Sequence, residues 1–251
     1  MKVILSPARR FRRCAPDQLP ELTRPRYQQQ AGMLLEQLRQ LSPWQLESLL
    51  KVNPELALDA FGWYRDMELN HAGGTAAILA YQGMVYRSLR AETFNRQEFE
   101  NAQEKLVLCS AFYGPLRPLD GIEPYRLELD SLFRPGDQKL RSFWGDGFYQ
   151  AAFEDGGPVV DLASKEYSSA VSAFLRPGDR MIECRFLTWK RGKLRTIVTD
   201  AKGARGAMAR TIIREGWQRP EQLTAFEEGG FQYSPQLSGE NLMVFVRHSE
   251  G

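Results

Sequence analysis

The sequence predicts a mixed α/β fold, a single domain over residues 1–251 with a mixed sheet surrounded by helices. Short apolar runs typical of buried strands alternate with segments whose apolar residues recur at helical spacing. Length and a hydrophobic content of 43% fit one large domain or two small ones. The sequence contains no repeat or low-complexity linker between two halves, which favours one domain.

The first third of the chain reads as one strand followed by three helices. Ser42 and Asn53 are each followed by proline, a pattern typical of helix starts. The second and third helices form a candidate helix-hairpin-helix, a motif that binds backbone phosphate through amides in its turn. The turn Lys51-Val52-Asn53 lacks paired glycines, which favours a plain αα-hairpin. The predicted elements are a strand at 3–5, an irregular segment at 9–25, and helices at 28–41, 43–50 and from 54 onward.

The rest of the chain alternates between short helices and strands. Leu127 and Leu129 suggest a short strand, and Gly145 falls inside a helical pattern, where we expect it to permit close packing. A hairpin is expected around Arg191-Gly192. The predicted helices are 76–81, 85–90, 97–105 (capped by Asn95), 140–153, 201–215 and a short one from Pro220, and the strands are 107–110, 159–162, 181–188, 193–199, 230–233 and 242–247.

A stiff loop after the strand at 107–110 holds the densest group of candidate binding residues. Its prolines and glycines exclude a helix. Arginine presents fixed, forked donors that suit phosphate or carboxylate. The alternative is an internal lock between arginine and acidic residues that fastens the loop to the body. The candidates are Tyr113, Arg117, Asp120, Glu123, Tyr125, Arg126 and Glu128.

Two further clusters combine a helix start with acidic or hydroxyl side chains. Asp146 follows Phe143-Trp144-Gly145 and either caps a neighbour or faces a cleft. Ser164 lies just beyond a buried strand, at the start of a helical turn that also holds Glu166. Free amides at such a position favour an anion. The alternative for Ser164 is an ordinary N-cap.

The helix at 201–215 is basic and rich in small residues. Arg205 borders its inward stripe of Ala204, Met208 and Ile212, so we expect this guanidinium to be half-buried and to require an anionic partner. That partner is either a ligand or a structural acid, for which Glu128, Asp146 and Glu166 are the candidates. Gly203 and Gly206 permit close approach of a backbone or ligand, and Lys202 and Arg210 lie away from the stripe.

Charge is unevenly distributed along the chain. Residues 1–26 hold seven Lys or Arg against two acids, and residues 185–219 hold ten against two; the whole chain carries only +2, so the remainder carries −11. Two basic blocks suit a polyanion, and the alternative is a pair of solvated faces. Lys190, Arg191 and Lys193 at the hairpin tip, with Arg9 near the N-terminus, are the exposed candidates.

Several classes of protein are disfavoured. No window approaches 18 uninterrupted apolar residues, and the N-terminus lacks the apolar core of a signal peptide. Three distant cysteines argue against disulfides and for a reducing cytoplasm. Two histidines without close Cys/His spacing argue against a metal site. We therefore expect a cytoplasmic protein with no membrane span, metal or cofactor.

Taken in order, the motifs resemble the peroxide stress protein YaaA family nearly end to end. This resemblance implies a bacterial cytoplasmic protein of compact α/β fold that acts in oxidative-stress defence. It also implies binding of duplex or distorted DNA, with little sequence preference, through a positively charged cleft and a helix-hairpin-helix. The motifs are Ser6-Pro7-Ala8, Ala91-Glu-Thr-Phe94, Tyr113-Gly-x-Leu-Arg-Pro-Leu-Asp120, Pro124-Tyr-Arg-Leu-Glu128, Phe143-Trp-Gly-Asp146, Leu162-Ala-Ser-x-Glu-Tyr167, Ala204-Arg-Gly-x-Met-x-Arg210 and Pro220-Glu-Gln-Leu223.

The chain departs from the family pattern at three positions. Arg9 stands where the family usually has lysine, Met84 where it has aspartate, and Gly203 where it has lysine. The loss of one carboxylate and one lysine suggests weaker DNA binding or a paralogue with its own ligand.

Two hypotheses about function follow. The first is a DNA-binding protein of the peroxide stress response. The second is an enzyme or binder of a small anionic or nucleotide-like ligand in the same cleft, with Asp120, Glu128, Asp146, Ser164 and Glu166 as candidate catalytic residues. We expect segments 107–129, 143–146, 162–167 and 202–210 to converge on one concave face, because buried acids and bases need one another.

Overall fold

The computed structural model describes residues 1–69, 74–190 and 192–248. The strands are β1 (Lys2–Leu5), β2 (Arg10–Phe11), β3 (Thr75–Ala76), β4 (Tyr81–Gln82), β5 (Leu106–Ser110), β6 (Gly114–Leu116), β7 (Gly121–Ile122), β8 (Val159–Asp161), β9 (Met181–Lys190), β10 (Lys193–Arg195), β11 (Gln232–Tyr233) and β12 (Leu242–His248). The helices are α1 (Gln28–Arg39), α2 (Pro43–Leu50), α3 (Pro54–Asp66), α4 (Ala77–Ala80), α5 (Met84–Leu89), α6 (Arg96–Lys105), α7 (Leu140–Trp144), α8 (Gly147–Ala152), α9 (Lys165–Ser172) and α10 (Val198–Arg214), with short 3₁₀ helices at Ala91–Thr93, Pro135–Asp137, Pro220–Ala225, Glu228–Gly230 and Pro235–Leu237.

An eight-stranded mixed sheet forms the centre of the molecule. Its order is β11-β12-β9-β8-β1-β5-β6, with β10 paired to β9. Neighbouring strands from β12 through β5 run parallel, and β6, β10 and β11 pair antiparallel. All four residues of β1 are buried, as expected of a central parallel strand covered on both faces. The predicted mixed α/β fold is confirmed.

The strand order reverses next to β1. From β1 the chain reaches its neighbour β5 on one side, whereas β8, β9 and β12 follow on the other side. The register joins Val3 to Leu106 and to Val160. In parallel sheets a reversal of this kind leaves a crevice beyond the carboxyl ends of the two strands, where ligands commonly bind. Here the crevice lies beyond β1 and β8, next to Ser6 and Leu162.

Local sequence signals fix the predicted helix starts. The Ser42 side chain accepts a hydrogen bond from the Gln45 amide, and the Gln45 side-chain oxygen accepts one from the Ser42 amide. Asn53 accepts from the Leu56 amide at 2.9 Å, and Asn95 forms a capping box with Glu98. Each cap satisfies amides that a helix start leaves free, which explains why these helices begin where the sequence predicts.

Several details differ from the sequence-based expectation; for example, both ends of the helix expected over 76–81 belong to the short strands β3 and β4. The helix expected over 140–153 breaks at Gly145, whose φ of 51° and ψ of −128° are non-helical. A Cβ there would meet no atom within 4 Å, so the glycine serves backbone conformation and the close-packing interpretation was wrong. Leu127 and Leu129 are buried in a loop instead of a strand. The second hairpin strand is shorter than expected, because the chain enters α10 at Val198.

Across the three described ranges, every helix is too short or too polar to cross a membrane.

Candidate functional site

A cavity of about 610 Å³ opens at the crevice beyond β1 and β8. It is bounded by the segment after β1, by α5, by the loop before residue 129, by the start of α9 and by the N-terminal half of α10. The lining residues are Ser6, Pro7, Ala8, Arg9, Arg10, Gln82, Gly83, Met84, Val85, Tyr86, Arg87, Tyr125, Arg126, Leu127, Glu128, Leu162, Ser164, Glu166, Tyr167, Lys202 and Arg205.

Two serines join the segments that follow β1 and β8 where the cavity meets the sheet, a place called the inner end of the cavity below. The Ser164 amide donates to Ser6 Oγ at 2.7 Å, and the Ser6 hydroxyl donates to Ser164 Oγ at 3.0 Å. Tyr86 holds the Ser6 carbonyl with a hydrogen bond of 2.9 Å. Ser164 has the extended backbone of an N-cap, yet its side chain does not cap α9. Ser164 is therefore the N-cap residue of α9 by its backbone, but the side-chain bond of an ordinary N-cap is not formed within the described residues. The positive end of the α9 dipole lies beside the cavity, which Ser164, Glu166 and Tyr167 line.

Basic residues outnumber acidic ones in the described lining. Six lining residues are Arg or Lys and two are Glu. Four of the cations are exposed, Arg126 is buried and Arg205 is half-buried. The exposed group, called the rim cations below, comprises Arg9, Arg10, Arg87 and Lys202.

Glu128 is held between two arginines. Its Oε1 atom lies 2.8 Å from Arg126 Nη2 and 3.0 Å from Arg9 Nε; the angles do not meet hydrogen-bond geometry, so both contacts are ion pairs. The Tyr64 hydroxyl donates to the Arg126 carbonyl and accepts from its amide at 3.2 Å, which anchors this part of the loop. Within the described ranges, Arg126 Nε has no hydrogen-bond partner.

Glu166 lies in the first turn of α9, beside the loop segment that holds Glu128. Its Oε1 atom accepts from the Asp130 amide at 3.2 Å. Burial, with the nearby charges of Asp130 and Glu128, raises the pKa of Glu166 above its ordinary value. A carboxyl group with a raised pKa at a cavity wall is suited to accepting or donating a proton.

Arg205 projects from α10 into the same region and is balanced by acids that sequence reasoning missed. Burial lowers its pKa, while the charges of Asp161 and Glu183 raise it. These two acids replace Glu128, Asp146 and Glu166 as its electrostatic partners. The sequence feature that could have identified Asp161 is an acidic residue at the end of an apolar strand. Arg205 Nε has no hydrogen-bond partner among the described residues.

Arg117 and Asp120 lie outside the cavity and form the internal lock. Asp120 is fully buried, and its Oδ1 atom accepts from Arg117 Nη2 at 2.9 Å and from the Thr23 hydroxyl at 2.6 Å. Arg117 also donates to the Arg24 carbonyl. Tyr113 is buried in the same loop, where its hydroxyl accepts from the Glu123 amide at 3.0 Å. These contacts fasten the loop to the body.

The remaining candidates are also placed elsewhere. Asp146 accepts from the Gln150 side chain at 2.8 Å, and Arg210 donates to the carbonyls of Leu89 and Arg90. Lys190 and Lys193 are neighbours in the register of the β9–β10 hairpin, and neither lines the cavity. Arg191 lies outside the described residues. The cavity therefore gathers the 125–128, 164–166 and 202–205 segments, but neither Arg117 nor Asp146.

Two cavity residues that sequence reasoning missed are Tyr86 and Arg87. Arg87 and Tyr86 reach the site because α5 packs closely on α10 at Gly206, where a Cβ would lie 1.9 Å from the Val85 carbonyl oxygen. This glycine was the available signal, since it indicated close approach of another backbone.

The turn between α2 and α3 uses its own amides internally. The amides of Lys51 and Val52 both donate to the Glu47 carbonyl, and the Leu56 amide donates to Asn53. A phosphate would have to displace these bonds. The arrangement is that of the plain αα-hairpin favoured by the sequence.

The described residues contain no group of three or more His, Cys, Asp or Glu side chains that could hold a metal ion. Burial raises the pKa of the Cys109 and Cys184 thiols, which leaves them protonated and unreactive.

Fold and site define an α/β protein with a ligand-sized cavity at the switch point of a largely parallel sheet. Comparison with known proteins identifies its family. The family described as peroxide stress protein YaaA matches residues 1–237, so this chain belongs to that family.

Curated relatives match over nearly their whole length. The chain is 35% identical over 249 residues to the UPF0246 protein of Ligilactobacillus salivarius, covering 99% of this chain and 100% of that protein. It is 36% identical over 252 residues to the UPF0246 protein of Bacteroides thetaiotaomicron and 37% identical over 255 residues to that of Tolumonas auensis, covering 98% of both chains in each pair.

Proposed function

We propose that this protein acts in the cytoplasm during peroxide stress by binding DNA through the rim cations of the cavity. The observation that carries the proposal is the position of Arg10, Arg87 and Lys202. All three are exposed at one cavity mouth, and none makes an ion pair with another described residue. Unpaired, exposed cations grouped on one surface attract a phosphate backbone through release of its counterions.

The rim suits phosphate contacts without base readout. Its side chains are exposed and come from separate elements, with Arg10 on β2, Arg87 on α5 and Lys202 on α10, an arrangement suited to contacts with phosphates along a backbone. We therefore expect affinity for duplex or distorted DNA with little sequence preference. Arg9 contributes less than the other three, because Glu128 already neutralises part of its charge.

The test is fluorescence anisotropy with a labelled duplex at a series of salt concentrations. Two phosphate contacts are lost in the double variant Arg87→Gln/Lys202→Gln, so the slope of log affinity against log salt becomes shallower by about 1.8, at about 0.9 per contact. The matched control Arg134→Gln/Lys139→Gln removes one Arg and one Lys that are exposed away from the cavity. Equal slopes for the two double variants would refute a DNA-binding rim.

The second candidate function is binding of a small anionic ligand inside the cavity. Buried donors without partners in its wall favour this function, because the rim alone does not require them.

A further inference from the structure

We infer that the inner end of the cavity binds the phosphate group of a small phosphate monoester whose organic part carries hydroxyl groups. The inference deepens the second candidate function and is independent of DNA binding at the rim. The cavity volume of about 610 Å³ falls within the range typical of sites for small molecules and cofactors.

The inner end lies beyond the carboxyl ends of β1 and β8, where the strand order reverses. The backbone there turns away from both strands and leaves a crevice that side chains of the sheet do not fill. Ser6 follows β1 and Ser164 precedes α9, so both serines stand at this crevice.

The start of α9 supplies donors at this place. Because Ser6 occupies the Ser164 side chain, no side chain caps the helix, and the positive end of its dipole remains available to an anion. Ser164 Oγ only accepts in its bond with Ser6 and has no acceptor for its own proton among the described residues. The hydroxyl therefore remains available to donate to a phosphate oxygen.

Unpartnered buried side chains provide independent evidence for a ligand. Tyr167 is 3% exposed, forms part of the cavity wall and has no partner for its hydroxyl within the described ranges. Arg126 is 8% exposed, and its Nε atom is likewise unpaired, as is Nε of Arg205. The fourth unpaired atom in the described lining, Glu128 Oε1, is an acceptor that already lies within ion-pair distance of Arg126 and Arg9. Buried donors are almost always satisfied, so three unpaired donors around one cavity indicate an acceptor-rich group that completes them.

The rest of the lining defines the organic part of the ligand. Pro7, Met84 and Leu127 give apolar wall, against which a small ring can lie. Glu128 is neutralised by its two arginines and so does not repel the phosphate. Glu166 offers a carboxyl group to a ligand hydroxyl. These features suit a sugar or nucleoside monophosphate.

The test is isothermal titration calorimetry with AMP as the probe and adenosine as the phosphate-free comparison. We expect AMP to bind the wild type saturably and adenosine to show no measurable binding. Tyr167→Phe removes a single donor to the phosphate and should weaken AMP binding about tenfold or more. Its melting temperature should stay equal or rise, because the hydroxyl it deletes has no partner among the described residues.

A matched control is available at Thr188, which is 1% exposed and does not line the cavity. Its hydroxyl also has no partner in the part of the chain that the structure describes. Thr188→Val should leave AMP affinity unchanged, and Ser164→Ala should weaken it as Tyr167→Phe does. Absence of saturable AMP binding up to millimolar concentration would overturn the inference, as would a Tyr167→Phe variant that binds AMP like the wild type. Neither result touches the salt dependence of the rim variants, so the two proposals fail separately.

Discussion

Gly206 determines how closely α10 approaches α5, and through that contact where Tyr86 and Arg87 enter the cavity. A Cβ at this position would lie 1.9 Å from the Val85 carbonyl oxygen, a backbone atom that moves only if α5 moves. Gly203, three residues earlier, is different: a Cβ there would lie 3.5 Å from Ser88 Oγ, an ordinary contact. Only Gly206 thus meets the expectation of close backbone approach. The departure from the family pattern at Gly203 carries no steric requirement.

The two glycines predict opposite effects of alanine. Gly206→Ala should lower the free energy of unfolding by about 1–3 kcal/mol, because the added methyl overpacks the helix contact. Gly203→Ala should raise it by about 0.5–1 kcal/mol, since alanine favours the helix and fits the space. Urea unfolding of both variants measures the difference. Equal stabilisation by the two substitutions would contradict the close contact.

At the scale of the element, the loop from residue 113 to 128 has a structural half and a half that lines the cavity. Its first half is structural, because Arg117 and Asp120 bind each other and the segment around Thr23. Its second half forms a wall of the cavity through Arg126 and Glu128. The sequence left open whether this loop binds a ligand or forms an internal lock. In the structure its first half forms the lock and its second half lines the cavity.

Breaking the lock should therefore cost stability without changing ligand or DNA binding. Arg117→Met leaves the fully buried Asp120 carboxylate without its guanidinium partner, a loss of about 3 kcal/mol in the free energy of unfolding. Arg96→Met is the matched control, because the Arg96–Glu100 pair is exposed on α6 and such pairs contribute about 0.5 kcal/mol or less. Urea unfolding and the DNA salt slope are the two measurements. A changed salt slope in folded Arg117→Met would assign this arginine to binding after all.

At the scale of the whole molecule, one ion-pair network joins the N-terminal strand to distant segments. Lys2 Nζ lies 2.8 Å from Glu154 Oε1 and donates to the Glu104 carbonyl at 2.6 Å, while Arg26 binds the other Glu154 oxygen. Burial alone would raise the pKa of Glu154. The hydrogen bonds from Lys2 and Arg26 outweigh it, so the pKa is lowered.

The lowered pKa makes part of the stability depend on pH. The contribution of Glu154 is complete above the unfolded pKa of about 4.3 and is lost as pH falls through the lower folded pKa. Glu154→Gln should lower the free energy of unfolding by about 1 kcal/mol at pH 7, and the difference from wild type should shrink as the pH falls through the lowered pKa of Glu154. Urea unfolding across this pH range tests it. Asp155→Asn, at a more exposed partner of Lys2, should show a smaller effect.

By itself the sequence determined the family resemblance, the α/β class and most helix and strand positions. Capping at Ser42, Asn53 and Asn95 and the apolar strand runs are local signals, because each acts within a few residues. The same holds for the half-burial of Arg205 beside an inward stripe. Local signals did not predict the break at Gly145. There the backbone conformation of one residue divides the expected helix into α7 and α8.

Only the tertiary structure decided which residues form the site. Ser6 and Ser164 are 158 positions apart and meet because β1 and β8 are neighbours in the sheet. The charges of Asp161 and Glu183, which lie opposite one another on the adjacent strands β8 and β9, act on Arg205. A sequence shows which side chains carry charge, but their pairing depends on strand order and helix packing. Those are set by burial of apolar surface over the whole chain, and local sequence does not encode them.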